Sequence, residues 1–446
     1  MKKKVGIISL GCPKNLIDSE IMLGILKRDN YEITNNEHLA DIIIINTCGF
    51  IESAKQESIN TILEMAQCKK NRCRVLIVTG CLAERYKDGI MEQMPEVDAV
   101  VGTGGYGEIA RIIERVYACE KPVLCGNLDE IKYLENERLI STNKGYSYIK
   151  IAEGCDNFCT YCVIPSLRGR YRSRRIEDIL KEANTLAQNG IAEIVLIAQD
   201  TTRYGLDIYH EKKLVELIRG ISKIDGIKWI RLLYCYPEEI DDLLINEIAC
   251  NEKVCKYLDI PIQHASDKVL KMMGRRGSSE DIKALISSLR RKVPELIVRT
   301  TIIVGFPGEN DDDFDVLYKF VEDSQFDKLG VFMYSKEEGT PASKLKPQVG
   351  KKVKEKRHNM IMALQRKISA QKNINRLGNT FAAIVEGISE DGIFHYGRTY
   401  AEAPDIDGFV YFTSAEPLKE GEFTNVKILN SEDYDLIGEV TNEFTK

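Results

Sequence analysis

The stretch that most limits what this chain can be is Gly154-Cys155-Asp156-Asn157-Phe158-Cys159-Thr160-Tyr161-Cys162. Its three cysteines, spaced C-x3-C-x2-C, follow a strand-like run from Tyr146 to Ala152. Thiolates this close can hold three irons of a 4Fe-4S cube and leave the fourth iron without a protein ligand. Four cysteines would close such a cluster, and an open position on a metal is where chemistry takes place. A structural zinc site or three free thiols is the alternative. Zinc motifs usually come as two C-x2-4-C pairs, and no second pair follows.

A chain of 446 residues exceeds one hydrophobic core and implies roughly two to four domains. Its thirteen cysteines sit in a large, mixed-charge composition. That pattern suits metal or catalysis in a reducing cytosol better than disulfides. No apolar run approaches the ~20 residues that span a bilayer. Met1 to Lys4 runs directly into a strand, so neither signal peptide nor membrane partner is expected and the location reads as cytoplasmic. A formal charge of −6 gives no global pointer to nucleic acid.

The first block alternates strand and helix. Strands are expected at Lys4–Leu10, Asp41–Asn46, Arg74–Thr79 and Asp98–Val101. Helices are expected at Leu16–Lys27, Ser53–Lys70, around Tyr86–Met94 and at Gly107–Tyr117. Continuous apolar strands such as Ile42 to Ile45 mark a parallel sheet covered on both faces. Cys12, Cys48 and Cys81 each follow a strand end, the edge where open α/β sheets bind ligands. The three can converge as a second cluster site with three protein ligands. Buried cysteines acting as small hydrophobes are the alternative. Cys68, Cys73, Cys119 and Cys125 are read as structural, inside or after helices.

Pro122 to Ser141 reads as a charged, irregular connector. A second βα series then begins, with strands at Tyr146–Ala152, Glu193–Ala198, Lys228–Leu233, Tyr257–Ile260, Ile297–Val304 and Lys328–Met333. Helices at Ile176–Gln188, Lys212–Ser222 and Asp311–Asp323 lie between them. Six parallel strands make a partial barrel with its active face at the strand C-termini. Candidates at that face are Gln199, Asp200 and Thr201 for the methionine end of a ligand, and Gly305 and Glu309 in Gly305-Phe306-Pro307-Gly308-Glu309. His264 is a candidate substrate or ligand contact, against a structural histidine. Arg299 is a cation inside an apolar strand and must meet a carboxylate, either a ligand's or a neighbour's. Arg168, Arg170, Arg172, Arg174 and Arg175 crowd the stretch after the cysteine loop. They suit an anionic partner or a carboxylate network, with a solvated loop as the alternative.

Lys344 to Lys372 holds ten Lys or Arg against one acid, with one long helix over Val353–Gln371 as a linker. Short strands follow at Thr380–Glu386, Gly408–Thr413 and Glu422–Ile428, the pattern of a small β-barrel. Asn373 to Lys446 carries five Lys or Arg and fourteen Asp or Glu, a net of −9. A barrel that grips tRNA should be basic; this one favours a basic protein partner.

These motifs resemble the methylthiotransferase family of radical S-adenosylmethionine (SAM) enzymes over nearly the full length, and within it the branch that modifies ribosomal protein S12. The resemblance is carried by Gly11-Cys12-Pro13-Lys14-Asn15, Asn46-Thr47-Cys48-Gly49-Phe50-Ile51-Glu52-Ser53-Ala54, Glu153-Gly154-Cys155, Ile164-Pro165-Ser166-Leu167-Arg168-Gly169-Arg170, Leu258-Asp259-Ile260-Pro261-Ile262-Gln263-His264 and Gly305-Phe306-Pro307-Gly308-Glu309. The tRNA-modifying relatives typically have Asn where Pro13 and Lys14 stand. With the acidic tail, this favours a protein over tRNA; a tRNA adenosine methylthiotransferase is the alternative. Ala198-Gln199-Asp200 stands where the superfamily usually has Gly-Gly-Glu, and Thr301 where it often has glycine.

The resemblance implies three domains: an N-terminal α/β domain with the second cluster (1–135), a partial (β/α)6 radical SAM barrel with its linker helix (136–372), and an antiparallel TRAM-like β-barrel (373–446). It implies two 4Fe-4S clusters and SAM. The cluster on Cys155, Cys159 and Cys162 reduces SAM to give a 5′-deoxyadenosyl radical. That radical takes hydrogen from the β-carbon of an S12 aspartate, in the small ribosomal subunit. The cluster on Cys12, Cys48 and Cys81 carries the sulfur, and a second SAM gives the methyl group. SAM contacts would include Tyr161, Gln199, Asp200, Thr201, Arg299, Gly305 and Glu309. Arg168, Arg170, Arg172 and His264 would line the site. An electron donor such as flavodoxin or ferredoxin and a sulfur donor are implied partners.

Overall fold

A computed structural model describes residues 2–142 and 145–441. The described chain forms two compact units: residues 1–141, 152–174 and 335–343, and residues 142–151, 175–334 and 344–446. The first is built on six parallel strands: β1 (Lys4–Ser9), β2 (Glu32–Ile33), β3 (Ile42–Thr47), β4 (Val75–Gly80), β5 (Ala99–Gly104) and β6 (Val123–Gly126). Their order is β2-β1-β3-β4-β5-β6. The order reverses between β1 and β3, which places a crevice at their C-terminal ends. β3 and β4 are buried along their whole length, as continuous isoleucine and valine runs require in a sheet covered on both faces.

The connector expected to be irregular contributes β6, parallel to β5. This edge strand is four residues long and partly exposed, too short for a periodic signal. Cys125 therefore lies on a strand rather than in or after a helix, and Cys119 is exposed. The two helices that follow the first and third expected strands start earlier than the periodicity suggested. One runs Pro13–Arg28 with Cys12 as its N-cap. The other runs Cys81–Gln93 and begins on the cysteine itself. A short antiparallel ribbon, β8 (Ala152–Glu153) with β9 (Arg172–Ser173), closes the base of the cysteine loop and follows β7 (Tyr146–Lys150) in the chain.

In the second unit, β7 is joined by β10 (Glu193–Ile197), β11 (Trp229–Leu232), β12 (Val254–Asp259), β13 (Ile297–Val304) and β14 (Lys328–Met333). All are parallel and lie in chain order, the arrangement of a (β/α)6 partial barrel. The long basic helix runs Lys351–Ile374. Five strands close a barrel in the order β15 (Thr380–Ile388), β16 (His395–Arg398), β17 (Val410–Thr413), β19 (Leu436–Val440) and β18 (Phe423–Ser431). One pair, β17 with β19, is parallel, so the barrel is not wholly antiparallel. Ala383, Val385, Val410, Phe412, Val426, Ile428 and Leu436 fill it.

This small barrel meets the starts of the six parallel strands. Glu193 accepts from Arg231 Nε at 2.6 Å and from Arg398 Nη2 at 2.7 Å. Arg398 Nε also donates to Glu386 at 2.6 Å. Tyr148 Oη donates to Asp405 at 2.9 Å and Tyr257 Oη to Asp407 at 2.7 Å. Glu386, Glu402 and Asp407 have buried side chains. Part of the barrel's negative charge is therefore internal and faces neither RNA nor a partner. Among the described residues no helix is long and apolar enough to cross a membrane.

Candidate functional site

Both cysteine triads belong to the first compact unit. Gly11 sits at φ +89°, and a Cβ there would stand 2.9 Å from Cys48 Cβ and 3.1 Å from its sulfur. Only glycine lets the two cysteine loops approach this closely. Asn15 Nδ2 ties the strand ends together by donating to Leu10 O at 2.9 Å and Thr47 O at 3.1 Å. Asn46 Nδ2 returns a bond to Asn15 O at 2.8 Å. Cys12 and Cys81 each open a helix, where the helix dipole favours an anionic sulfur.

Burial pushes the Cys48 thiol up to about 12, and nearby Cys81 and Cys12 add to the rise. Cys81 is raised by burial and pulled back by Arg168. The thiols are thus near enough to feel one another, and a bound cation would draw off their protons. The second triad behaves alike: burial raises Cys162, and Cys159 and Cys155 raise it further. Gly154, at φ +77°, lies under the chain where a Cβ would be 1.9 Å from Arg170 O. Cys155 N–H donates to Gly169 O at 3.2 Å, and Cys162 N–H to Cys159 O at 3.0 Å. Among the described residues no three His, Cys, Asp or Glu side chains are grouped to hold a single metal ion. A cube asks for a different geometry, because each thiolate takes its own iron.

Arg168 is buried. Its Nη1 donates to Asp18 at 2.7 Å and Glu153 at 3.0 Å. Nη2 donates to Asn15 Oδ1 at 2.6 Å and lies 3.6 Å from Cys81 Sγ. Cys81 also packs on Val163 and Leu167. Tyr133 Oη donates to Glu153 at 2.9 Å. The arginine crowd divides from there. Arg172 donates to the carbonyl oxygens of Arg170 and Arg168, and Arg174 pairs with Glu135 at 3.2 Å. Exposed Arg170 reaches Asp156 at 3.4 Å and covers the Phe158 ring.

A cavity of about 510 Å³ is lined by Cys159, Cys162, Phe158, Ser166, Arg85 and Tyr86, with 338–341 along one side. Arg85 and Tyr86 stand on the helix that Cys81 opens. Arg85 donates to Glu337 at 2.8 Å and to Gly49 O at 2.9 Å, and Lys55 meets Glu337 at 3.1 Å. Sequence reasoning missed Arg85, Glu337 and Asp18, and named Glu153 only as part of a motif. The one local signal was a polar run, Lys14, Asn15, Asp18 and Ser19, on a helix that buries it.

The second unit's candidates sit at strand ends but have protein partners. Thr201 Oγ1 donates to Leu233 O at 2.6 Å, and Asp200 accepts from Thr202 Oγ1 at 2.6 Å. Gln199 is half-buried beside them, and Tyr161, in the first unit, is likewise half-buried. Arg299 bonds Asp259 at 2.8 Å and approaches Asp407 at 3.8 Å. The neighbouring carboxylate is thus a partner of this cation. Glu309 accepts from Phe306 N–H at 2.9 Å and Arg357 Nη1 at 2.8 Å. Gly305 makes room for Lys354, whose Cγ would lie 2.3 Å from an added Cβ. His264 is buried; its Nδ1 accepts from Ser266 N–H at 2.9 Å, and Nε2 lies 3.7 Å from Glu309.

Residues 4–102 match the Uncharacterized protein family UPF0004, 149–321 the Radical SAM superfamily and 377–441 the TRAM domain. The "Ribosomal protein uS12 methylthiotransferase RimO" of Acetivibrio thermocellus is 64% identical, covering 100% of both chains. The protein of the same name from Clostridium kluyveri is 53% identical, again over 100% of both. The chain belongs to the uS12 methylthiotransferase family. As a member of that family and of the radical SAM superfamily, it uses SAM and iron–sulfur chemistry. Among solved structures, the radical SAM methyltransferase TsrM of Kitasatospora setae matches with TM-score 0.55 at 15% identity over 77% of each chain. The cobalamin-dependent radical SAM enzyme OxsB matches at TM-score 0.51 and 12% identity, over 82% of this chain and 56% of that one. Those two likenesses show a shared fold alone.

Proposed function

We propose that this chain inserts a methylthio group at the β-carbon of an aspartate of ribosomal protein S12, with one SAM as radical source and a second as methyl donor. Cys155, Cys159 and Cys162 would hold one 4Fe-4S cluster, and Cys12, Cys48 and Cys81 a second. The donor set fits: three converging cysteines at each site, with room around Cys159 and Cys162 for a ligand. When bound, such clusters supply one-electron reduction of SAM and a place for sulfur, while the protein supplies orientation and electrostatics. The observation that carries the reading is the contact of Cys81 with Val163, Leu167 and Arg168. It ties a ligand of one triad to the segment just after the other.

This chain's residues have separable tasks. Asn15 and Gly11 hold the loops of Cys12 and Cys48 together. Arg85 and Glu337 fasten the wall of the cavity beside Cys159. Tyr161, Gln199, Asp200, Thr201, Arg299, Gly305 and Glu309 are candidates for SAM, and Arg168, Arg170, Arg172 and His264 for the lining of the site. The three-domain division at 1–135, 136–372 and 373–446 goes with this reading. So do a cytoplasmic setting, a flavodoxin- or ferredoxin-type electron donor and a sulfur donor.

Anaerobic turnover with reductant, SAM and sulfide tests it, with S12 and unmodified tRNA offered separately and both read by mass spectrometry. The expected product is one methylthio group on an S12 aspartate. Modification of tRNA alone would overturn the choice of substrate. Absence of 5′-deoxyadenosine would overturn the radical chemistry.

A further inference from the structure

Arg168 joins groups from three places in the first unit. Asn15 and Asp18 stand on the helix that Cys12 caps, Cys81 opens a second helix, and Glu153 lies just before Cys155. A salt bridge that only closed the loop would need Nη1, with Asp18 at 2.7 Å and Glu153 at 3.0 Å. Nη2 does something else: it donates to Asn15 and reaches the Cys81 sulfur at 3.6 Å. Asn15 in turn is fixed to the ends of β1 and β3, so the approach of guanidinium to sulfur is set by the sheet. Hydrogen bonds to the sulfurs and local charge are what tune an iron–sulfur centre.

We infer that Arg168 is a positioning residue that holds Cys81 and raises the reduction potential of the centre on Cys12, Cys48 and Cys81. The inference rests on the proposed cluster at that triad. Reduction adds negative charge, and a buried cation donating to a ligand sulfur stabilises the added charge. Asp18 and Glu153 oppose it and offset part of the effect. The sequence segment of one triad thereby adjusts the electron affinity of the other.

The test uses the full-length chain carrying Cys155→Ala, Cys159→Ala and Cys162→Ala, so that one centre remains, loaded anaerobically with iron and sulfide. Its midpoint is read by potentiometric titration with electron paramagnetic resonance, alongside iron per chain. Arg168→Met should shift the midpoint to more negative potential, and Arg168→Lys should fall between it and the parent. Asp18→Asn should shift it the other way, with iron content unchanged. A purely structural arginine would lower iron content in all variants without opposite shifts. Coincident midpoints, or shifts of the same sign, overturn the inference. If Arg168→Met fails to fold, Arg168→Lys and Asp18→Asn still decide it. A parent that binds no cluster overturns both the proposed function and this inference, and does so before any Arg168 substitution is made.

Discussion

Two buried arginine clusters invite comparison. In the first unit, Arg168 shares its donors between carboxylates and a cysteine sulfur. In the second, Arg231 and Arg398 share the two oxygens of Glu193, and Arg398 adds Glu386. All these side chains are nearly or fully shielded from water. The second cluster is satisfied by carboxylates and backbone oxygens and joins the small barrel to the strand starts. The first keeps one donor on an atom of the proposed chemistry. Buried charge alone does not mark a site; the identity of the last acceptor does.

The comparison can be broken in several ways. The largest effect is expected from Cys81→Ala, which should abolish methylthio product while 5′-deoxyadenosine still forms. Glu193→Gln should leave both products in place. Mass spectrometry of S12 and chromatography of the nucleoside read the two. Next, Glu193→Ala takes the carboxylate from buried Arg231 and one of two from Arg398 and should cost about 3–5 kcal/mol of stability. Urea unfolding can follow this through Trp229, the chain's single tryptophan, because its ring meets Phe423 of the small barrel at 4.7 Å.

A smaller effect concerns pH. Arg376 and Lys328, with a bond from Thr399, outweigh burial and hold the Glu402 carboxyl at about 2 instead of 4.5. Its folded value is depressed, so its stabilisation is complete above pH 4.5 and fades as pH falls through about 2. Glu402→Gln should flatten the acid limb of the Trp229 unfolding curve in that window. An unchanged limb would show that Glu402 does not govern the joint. The smallest effect belongs to Arg175, exposed and paired with Asp178 three residues on. Arg175→Ala should change stability by no more than about 0.5 kcal/mol. A larger loss in the same urea experiment would mean that the arginine crowd is more connected than its pairs suggest.

Much of the frame was legible because it is periodic or local. The βα alternation, the C-x3-C-x2-C loop and the cysteines after β1, β3 and β4 all show within short windows. β13 and β14 occupy the expected ranges, since apolar strands between helices leave little choice. What failed to show depends on partners far along the chain. Arg168 looked like part of a basic loop, because Asp18 lies 150 residues away and Cys81 lies 87. Arg299 pairs with Asp259, 40 residues away, which no short window shows. The net charge of the tail overstated its surface charge, because Glu386, Glu402 and Asp407 turn inward. Lys354, from the long basic helix, comes close to Gly305, an approach that no local pattern shows.

The segment 335–343 has a consequence for the order of assembly. It belongs to the first unit although the whole parallel series of the second is made before it. Glu337 secures Arg85 and Lys55, and Ala342 N–H bonds Thr160 O at 2.9 Å within the cysteine loop. On the ribosome the N-terminal sheet therefore emerges with its last wall missing. At about 5–20 residues per second, the gap lasts on the order of ten seconds or more. Until then the cavity beside Cys159 and Cys162 lacks the side that 338–341 supply, and those thiols are open to whatever delivers or scavenges iron. Closing of the wall would set the end of the period in which they can be loaded freely.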